Sequence, residues 1–267
     1  MLTRARTDQF AAHPTDCLGP TNAIMARVAE QGLATVDGLV SRESVLAFTR
    51  RVMELTRHPD SDADGLTTIR DIGRASPRPG LAGLGSGELL AHTERSSTPC
   101  PPRLMLLVCL RPAVEGGEVL LTDGRAVYEE LAVRSPEAVE AMGLRGTAYF
   151  GDGGGHSSRI FTPHPDGRVS LRFRQDELGR FSPLVSDYLP ALRGAITAHE
   201  HLLRLEPGQG YLIDNTRFLH ARASFVGHRL CVRALGTPLL PLADGFAVSG
   251  PARSRPVASP GKVRADR

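Results

Sequence analysis

In the stretch GELLAHTERS, residues 87–96, a histidine and a glutamate stand two residues apart, His92 and Glu94, at the end of a short apolar run. In an extended chain, residues i and i+2 project from one face, so the imidazole and the carboxylate point together while Thr93 points away. Such a pair suits a first-row divalent metal, yet two ligands leave the ion mostly open and a third is needed. Taken alone, the plainer reading is the commoner one: the chain has nine histidines, and an isolated H-x-E is usually two polar residues where a strand meets solvent.

A third ligand is on offer far downstream, in YLIDNTRFLHARASFVGHRLCVRALG. There an apolar strand ends at Asp214-Asn215 and His220 follows in an apolar setting. Beyond it Arg229, Cys231 and Arg233 alternate with Leu230 and Val232, which places both guanidiniums on one strand face. Two arginines facing into a β core are costly unless they bind anions. A dicarboxylate would meet that demand through paired charge-assisted hydrogen bonds.

Two histidines and a carboxylate on one face of a metal, with a carboxylate-binding arginine shortly after the second histidine, is the facial-triad pattern of non-haem Fe(II) oxygenases. On these residues the chain resembles the taurine dioxygenase/clavaminate synthase-like superfamily of Fe(II)- and 2-oxoglutarate-dependent oxygenases. The resemblance runs from about GLATVDGLVSRESVLAFTRRV to VRALG and is carried by GELLAHTE, PPRLMLLVCLRPAVEGGEVLLTDG and DNTRFLHARASF followed by HRLCVRA. It implies an α+β, mainly β protein: a double-stranded β-helix (jelly-roll, cupin-like) core with flanking helices.

The same resemblance implies that His92, Glu94 and His220 hold iron, that Arg229 receives the distal carboxylate of 2-oxoglutarate, and that Arg233 touches substrate. Where the superfamily usually places a threonine after a Gly-Gly-acidic turn, this chain has Val119, which cannot make the expected hydrogen bond to the cosubstrate. Thr122 is the nearest hydroxyl that could compensate; otherwise Arg229 holds the cosubstrate alone. Glu94 argues against halogenation, which needs a small residue there, and a Glu in place of Asp resembles the clavaminate synthase and amino-acid hydroxylase branch. The implied activity consumes O2 and 2-oxoglutarate, releases succinate and CO2, and hydroxylates an unactivated carbon of an amino acid or amino-acid-derived metabolite. Desaturation, epoxidation, cyclisation, or action on an amino acid bound to a carrier protein stay open. A cupin-like metal protein without oxygenase activity is the alternative of another class, and an inward Arg229 is what such a protein would not need.

The elements that would position these residues can be traced by pattern. TNAIMARVAEQG reads as a helix capped at Thr21 or Asn22 and ended by Gly32, followed by a strand at Leu33–Val36. A second helix is expected from about Ser41 to Thr56, with Ser41 as N-cap and Glu43 in its first turn. Residues 58–85 form a long loop with one strand near LTTIRDI, and long loops in compact domains tend to be functional. From Leu104 onward short β-branched and apolar runs alternate with turns, as in a sandwich or barrel. Two helical patches interrupt them, residues 124–142 and residues 186–201, each with apolar side chains at three-to-four spacing.

Other polar groups admit plainer roles. His199-Glu200-His201 is read as a solvated helix end rather than a ligand set. GLGSGE and GDGGGH lack the context of a phosphate cradle and read as flexible loops, the second, Gly151 to Gly155, being a candidate lid over the mouth of the barrel. Arg95, Arg172 and Arg174 are candidate substrate contacts, the last two being equally well read as the solvent face of a half-buried strand.

Bulk properties limit the remaining options. With 267 residues and 41% hydrophobic content, the chain is expected to form a lead-in over residues 1–20, a single domain over 21–245 and a basic, disordered tail over 246–267. The net charge of +3 is concentrated at the ends, Trp is absent and aromatics total 5%, which leaves no nucleic-acid footprint. No apolar run approaches the ~20 residues of a membrane span, and no secretory pattern opens the chain, so a cytoplasmic protein is expected. Cys17, Cys100, Cys109 and Cys231 lack metal or disulfide spacing and read as buried thiols.

Overall fold

Residues 21–71 and 82–248 are described by the computed structural model. Two antiparallel sheets face each other in a jelly roll. The larger runs in the order Leu33–Val36, Gly210–Asp214, Leu104–Arg111, Leu230–Pro238 and Met53–Leu55, with Thr67–Arg70 also paired to the Leu230–Pro238 strand. The smaller runs Glu200–Leu203, Val119–Asp123, Phe218–Arg222, Leu89–His92.

Alternation along these strands sorts the core into three layers. Leu104, Leu106 and Val108 pack outward from the larger sheet against Ile24, Val28, Val45 and Phe48 of the helices Thr21–Gln31 and Arg42–Val52. Met105, Leu107 and Cys109 on the same strand point between the sheets, where they meet Val119, Leu121 and Phe218. Leu120, Leu219 and Ala221 face the other way, into a cluster with Val127, Leu131 and Ile196 of the helices Gly124–Arg134 and Leu189–Ala198. The parity places His220 and Arg222, in step with Phe218, on the inner face.

The first helix ends at Gln31 with Gly32 at φ +76°, a backbone region open to glycine. The second starts as expected, since Ser41 and Ser44 form a capping box with Glu43 in the first turn. It stops at Val52, however, four residues before the expected end. Met53–Leu55 instead pairs with Gly236, Thr237 and Pro238, because a vacant sheet edge and burial of Met53 outweigh local helix propensity. Similarly, the second helical patch is the short helix Pro183–Ser186 and the helix Leu189–Ala198, and His199 caps the latter. Glu200 and His201, expected at a helix end, open an edge strand paired to Thr122 and Leu121.

Phe246 and Ala247, which the sequence pattern assigned to the tail, pair with Val169 and Arg168, and Phe246 is fully buried. Residues 1–20 and 249–267 lie outside the described residues, as do Cys17 and positions 72–81 of the long loop. Cys109 and Cys231 are buried cross-strand partners, whereas Cys100 is exposed, contrary to expectation, at the turn before Pro101. Among the described residues no helix is long and apolar enough to cross a membrane.

Candidate metal centre and its cavity

The Leu89–His92 strand lies antiparallel to Phe218–Arg222, and His92 falls directly opposite His220. Their rings stand 4.1 Å apart between centroids. Thr93 turns outward, exchanging hydrogen bonds with the backbone of Phe173 at 2.8 and 3.2 Å. Glu94 therefore returns to the inner side beside His92, as period-two alternation requires. Arg95 follows with φ +52°, the only non-glycine residue at positive φ among those described, and turns the chain sharply away.

One ligand atom from each of His92, Glu94 and His220 lies within 4.8 Å of the others, and no other group of three or more metal-binding side chains occurs among the described residues. His92 donates its Nδ1–H to the Leu90 carbonyl at 2.8 Å, which leaves Nε2 with its lone pair toward the site. His220 turns Nε2 to Glu94 Oε2 at 3.7 Å, while its buried Nδ1 has no partner among the described residues. Burial holds both imidazoles below the usual histidine range, His220 strongly so, and so keeps them neutral as metal ligands must be. Burial alone would push the Glu94 carboxyl up, but the charge of its neighbours, the Arg233 guanidinium foremost, brings it down to about 2. Arg233 Nη1 donates to Glu94 Oε2 at 2.8 Å. Two neutral imidazoles and one ionised carboxylate, gathered on one side of a cavity, fit a divalent iron site with positions left for other ligands.

That cavity encloses about 580 Å³. His58, Arg95, Asp152, Arg174, Asp176 and Arg233 line it beside the triad, so its wall carries both signs of charge. Gly151, Gly154 and Gly155 contribute to its lining, in accord with the expected position of GDGGGH at the mouth. Arg174 forms a salt bridge with Asp176 while lining the cavity. Arg172, its expected companion, is not among the lining residues: it donates to the Thr98 and Pro99 carbonyls at 3.0 and 3.1 Å, bracing the turn after Glu94.

A smaller inner recess extends from His220 to Arg229 and is lined by Val119, Tyr211 and Arg222. Arg229 is buried, and among the described residues it has no hydrogen bond or ion pair, only the Phe225 ring 5.9 Å from its guanidinium carbon. Gly117, at φ +76°, makes room for it, since a Cβ there would lie 3.3 Å from the Arg229 side chain. A buried cation without an anion is the feature a dicarboxylate cosubstrate would complete. Thr122 cannot substitute for a hydroxyl at Val119. It lies three residues on, hence on the opposite face of the strand, and its Oγ1 points to the Ile196 carbonyl at 3.5 Å.

Asn215, His58, Asp176 and Arg222 are site residues that the sequence pattern did not single out. Asn215 fixes the Glu94 backbone, accepting its N–H at 2.7 Å and donating to its carbonyl at 3.0 Å. Its neighbours secure the same turn: Asp214 pairs with Arg103 at 2.8 Å, and Arg217 donates to Asp123 at 2.9 Å. The visible signal was the run DNTR, four polar residues set between two apolar strands. Arg222 carried the parity of His220. His58 and Asp176 sit in loops whose return to the cavity no periodicity announces.

The family model described as "Taurine catabolism dioxygenase TauD, TfdA family" matches residues 12–235. A curated relative, "Dioxygenase str8" of Strobilurus tenacellus, is 28% identical over 138 residues, which is 47% of this chain and 32% of that protein. The chain thus matches about a third of that relative's length. Among solved structures, an asparagine oxygenase in complex with Fe(II), 2S,3S-3-hydroxyasparagine and succinate superposes with a TM-score of 0.65 at 17% identity, covering 81% of this chain and 77% of that one. The non-heme iron oxygenase OrfP in complex with Fe and alpha-ketoglutaric acid superposes with a TM-score of 0.64 at 15% identity, covering 82% and 80%. At these identities the likeness is one of fold.

Proposed function

Since this chain belongs to the taurine catabolism dioxygenase TauD, TfdA family, we propose that it is an iron(II)- and 2-oxoglutarate-dependent dioxygenase that hydroxylates an amino acid or a small amino-acid-derived metabolite. The observation that carries this reading is the pairing of two features in connected space: the His92, Glu94, His220 cluster and, across the recess, the buried Arg229, which has no ion pair among the described residues. A metal protein without a cosubstrate would have no use for that second feature.

In this reading His92, Glu94 and His220 hold the iron and Arg229 takes the distal carboxylate of 2-oxoglutarate by a bidentate contact. Iron, 2-oxoglutarate and O2 together supply an oxidant for an unactivated C–H bond, with succinate and CO2 released. The protein's own task is placement. Asn215 holds the Glu94 backbone still, and Arg233 holds the Glu94 carboxylate in its ionised form. Ile69, Leu84 and Leu178 give the cavity an apolar portion that limits water near the reacting carbon.

The substrate class follows from the mixed charge of the wall. An α-amino acid presents an anion and a cation a few ångströms apart; Arg233 and Arg95 suit its carboxylate, and Asp152 and Asp176 suit an ammonium. The asparagine oxygenase named above was solved with a hydroxylated amino acid, which supports this choice by analogy of fold. Free amino acid is preferred over a carrier-bound one because a thioester would offer no carboxylate to Arg95 at the cavity wall, whereas Arg233 already has Glu94. Cys109 and Cys231, opposed and unbridged, accord with a reducing, cytoplasmic setting.

The test is a screen of free amino acids for stimulated succinate formation, with products examined for one added oxygen. Stimulation by a free amino acid is expected. Stimulation only by carrier-bound aminoacyl thioesters would overturn the free-substrate assignment.

A further inference from the structure

The recess that ends at Arg229 contains a second cation. Arg222 lies two residues beyond His220 on the same inward face, is 4% exposed, and lines the recess together with Arg229 and Val119. Its two terminal nitrogens are engaged: Nη1 donates to the Gly83 carbonyl at 3.3 Å, and Nη2 donates to the carbonyls of Gly85 and Gly87. All of these acceptors are neutral. Its Nε–H is buried with no partner among the described residues. The Phe225 ring lies 4.9 Å from the Arg222 guanidinium carbon and 5.9 Å from that of Arg229, so one aromatic side chain serves both cations.

An arginine used only to tie the 83–87 turn would not leave a desolvated N–H without an acceptor, since an unmet buried donor costs ~1–3 kcal/mol. Nor would a second cation settle beside Arg229 in a recess that no described carboxylate lines, the charge of Asp71 acting on Arg222 from outside that lining. A carboxylate in the recess would remove both penalties. The strand opposite offers Val119, which has no donor, at the edge of the same recess.

On these grounds, and resting on the cosubstrate reading above, we infer that Arg222 is a second anchor for the distal carboxylate of the 2-oxo acid, its Nε–H supplying the hydrogen bond that the side chain of Val119 cannot. Arg222 and Arg229 together then make the recess selective for a dicarboxylic cosubstrate. A monocarboxylic 2-oxo acid of the same length would leave two cations buried and unpaired, and would bind far more weakly.

The full chain loaded with Mn(II), which supports no turnover, separates binding from chemistry. Calorimetric titration with 2-oxoglutarate and with 2-oxopentanoate, which lacks the distal carboxylate, gives the preference ratio. Arg222→Lys keeps a cation able to reach the turn carbonyls but has no donor at the Nε position. It should weaken 2-oxoglutarate binding about tenfold or more while leaving 2-oxopentanoate unchanged. In an Arg222→Met background, Val119→Thr should restore part of the 2-oxoglutarate affinity and none for 2-oxopentanoate. Equal losses for the two acids in both Arg222 variants would assign Arg222 to the turn alone and overturn the inference, as would unchanged 2-oxoglutarate binding. A wild-type protein that binds Mn(II) but neither acid would overturn the parent reading as well, and is told apart by that wild-type result.

Discussion

Asn215 accepts the Glu94 backbone N–H at 2.7 Å and donates to the Glu94 carbonyl at 3.0 Å, a two-way clamp between residues 121 positions apart in sequence. It also donates to the Pro102 carbonyl at 2.8 Å. Since Glu94 lies beyond the end of its strand, this side chain takes the place that ladder hydrogen bonds hold elsewhere. Asn215→Ala should orphan buried backbone groups at ~1–3 kcal/mol each. It should also weaken metal binding by about ten- to a hundredfold, as loss of a ligand-positioning partner generally does. Thermal unfolding and Mn(II) titration check the two effects separately, and an unaffected metal affinity would show that Glu94 is held by Arg233 instead.

Replacing either histidine by alanine has a different signature. His92→Ala and His220→Ala remove a ligand without removing a strand hydrogen bond, so the far-ultraviolet dichroism should match the wild type while stoichiometric Fe(II) binding disappears. Retained stoichiometric binding in either variant would take that residue out of the metal site.

Arg229→Lys should raise the 2-oxoglutarate requirement about ten- to a hundredfold, because a charge-assisted fork worth ~1.5–3 kcal/mol becomes a single point contact. Thr122→Val, by contrast, should leave that requirement unaltered, since the hydroxyl faces the outer helix layer. Steady-state measurements with 2-oxoglutarate varied test both. A large effect at Thr122 would mean that the strand parity is misassigned.

The pH dependence of the metal-free protein has a definite sign. Burial holds His58, His92 and His220 below their ordinary pKa of 6.5, so the unfolded chain takes up protons first as pH falls. Stability should therefore decline below about pH 6.5. Glu94, held at about 2 against an ordinary 4.5, adds a loss in the same direction between those values. Unfolding temperatures of the metal-free protein should hold level from pH 8 to about pH 7 and fall from there to pH 5, and His58→Gln should reduce the slope of that fall. A flat profile would contradict the buried, neutral histidines.

What could be read from sequence was what alternation governs. His92 and Glu94 share a side because they are two apart, and His220, Arg229 and Arg233 were visible as polar residues misplaced on apolar strands. Carried further, the same alternation excludes Thr122, three residues from the inward Val119, and includes Arg222, two residues from His220. Other features depend on partners that no local window contains. Met53–Leu55 is a strand because the end of the Leu230–Pro238 strand offers an edge, and Asn215 matters because the fold brings Glu94 to it. Arg172 and Arg174 read alike in the sequence and differ in place because the chain leaves the strand at Leu171, sending one to the carbonyls of the 96–99 turn and the other into the cavity.

The metal cluster and Arg229 hold one cosubstrate between them only if both ends of the same molecule are bound at once. Anaerobic addition of 2-oxoglutarate to the Fe(II)-loaded protein should produce a visible charge-transfer band that saturates at one equivalent. The band should be absent in His92→Ala and His220→Ala and need about ten- to a hundredfold more 2-oxoglutarate in Arg229→Lys. Absence of the band in the wild-type protein with iron demonstrably bound, or its persistence with unchanged affinity in Arg229→Lys, would contradict that arrangement.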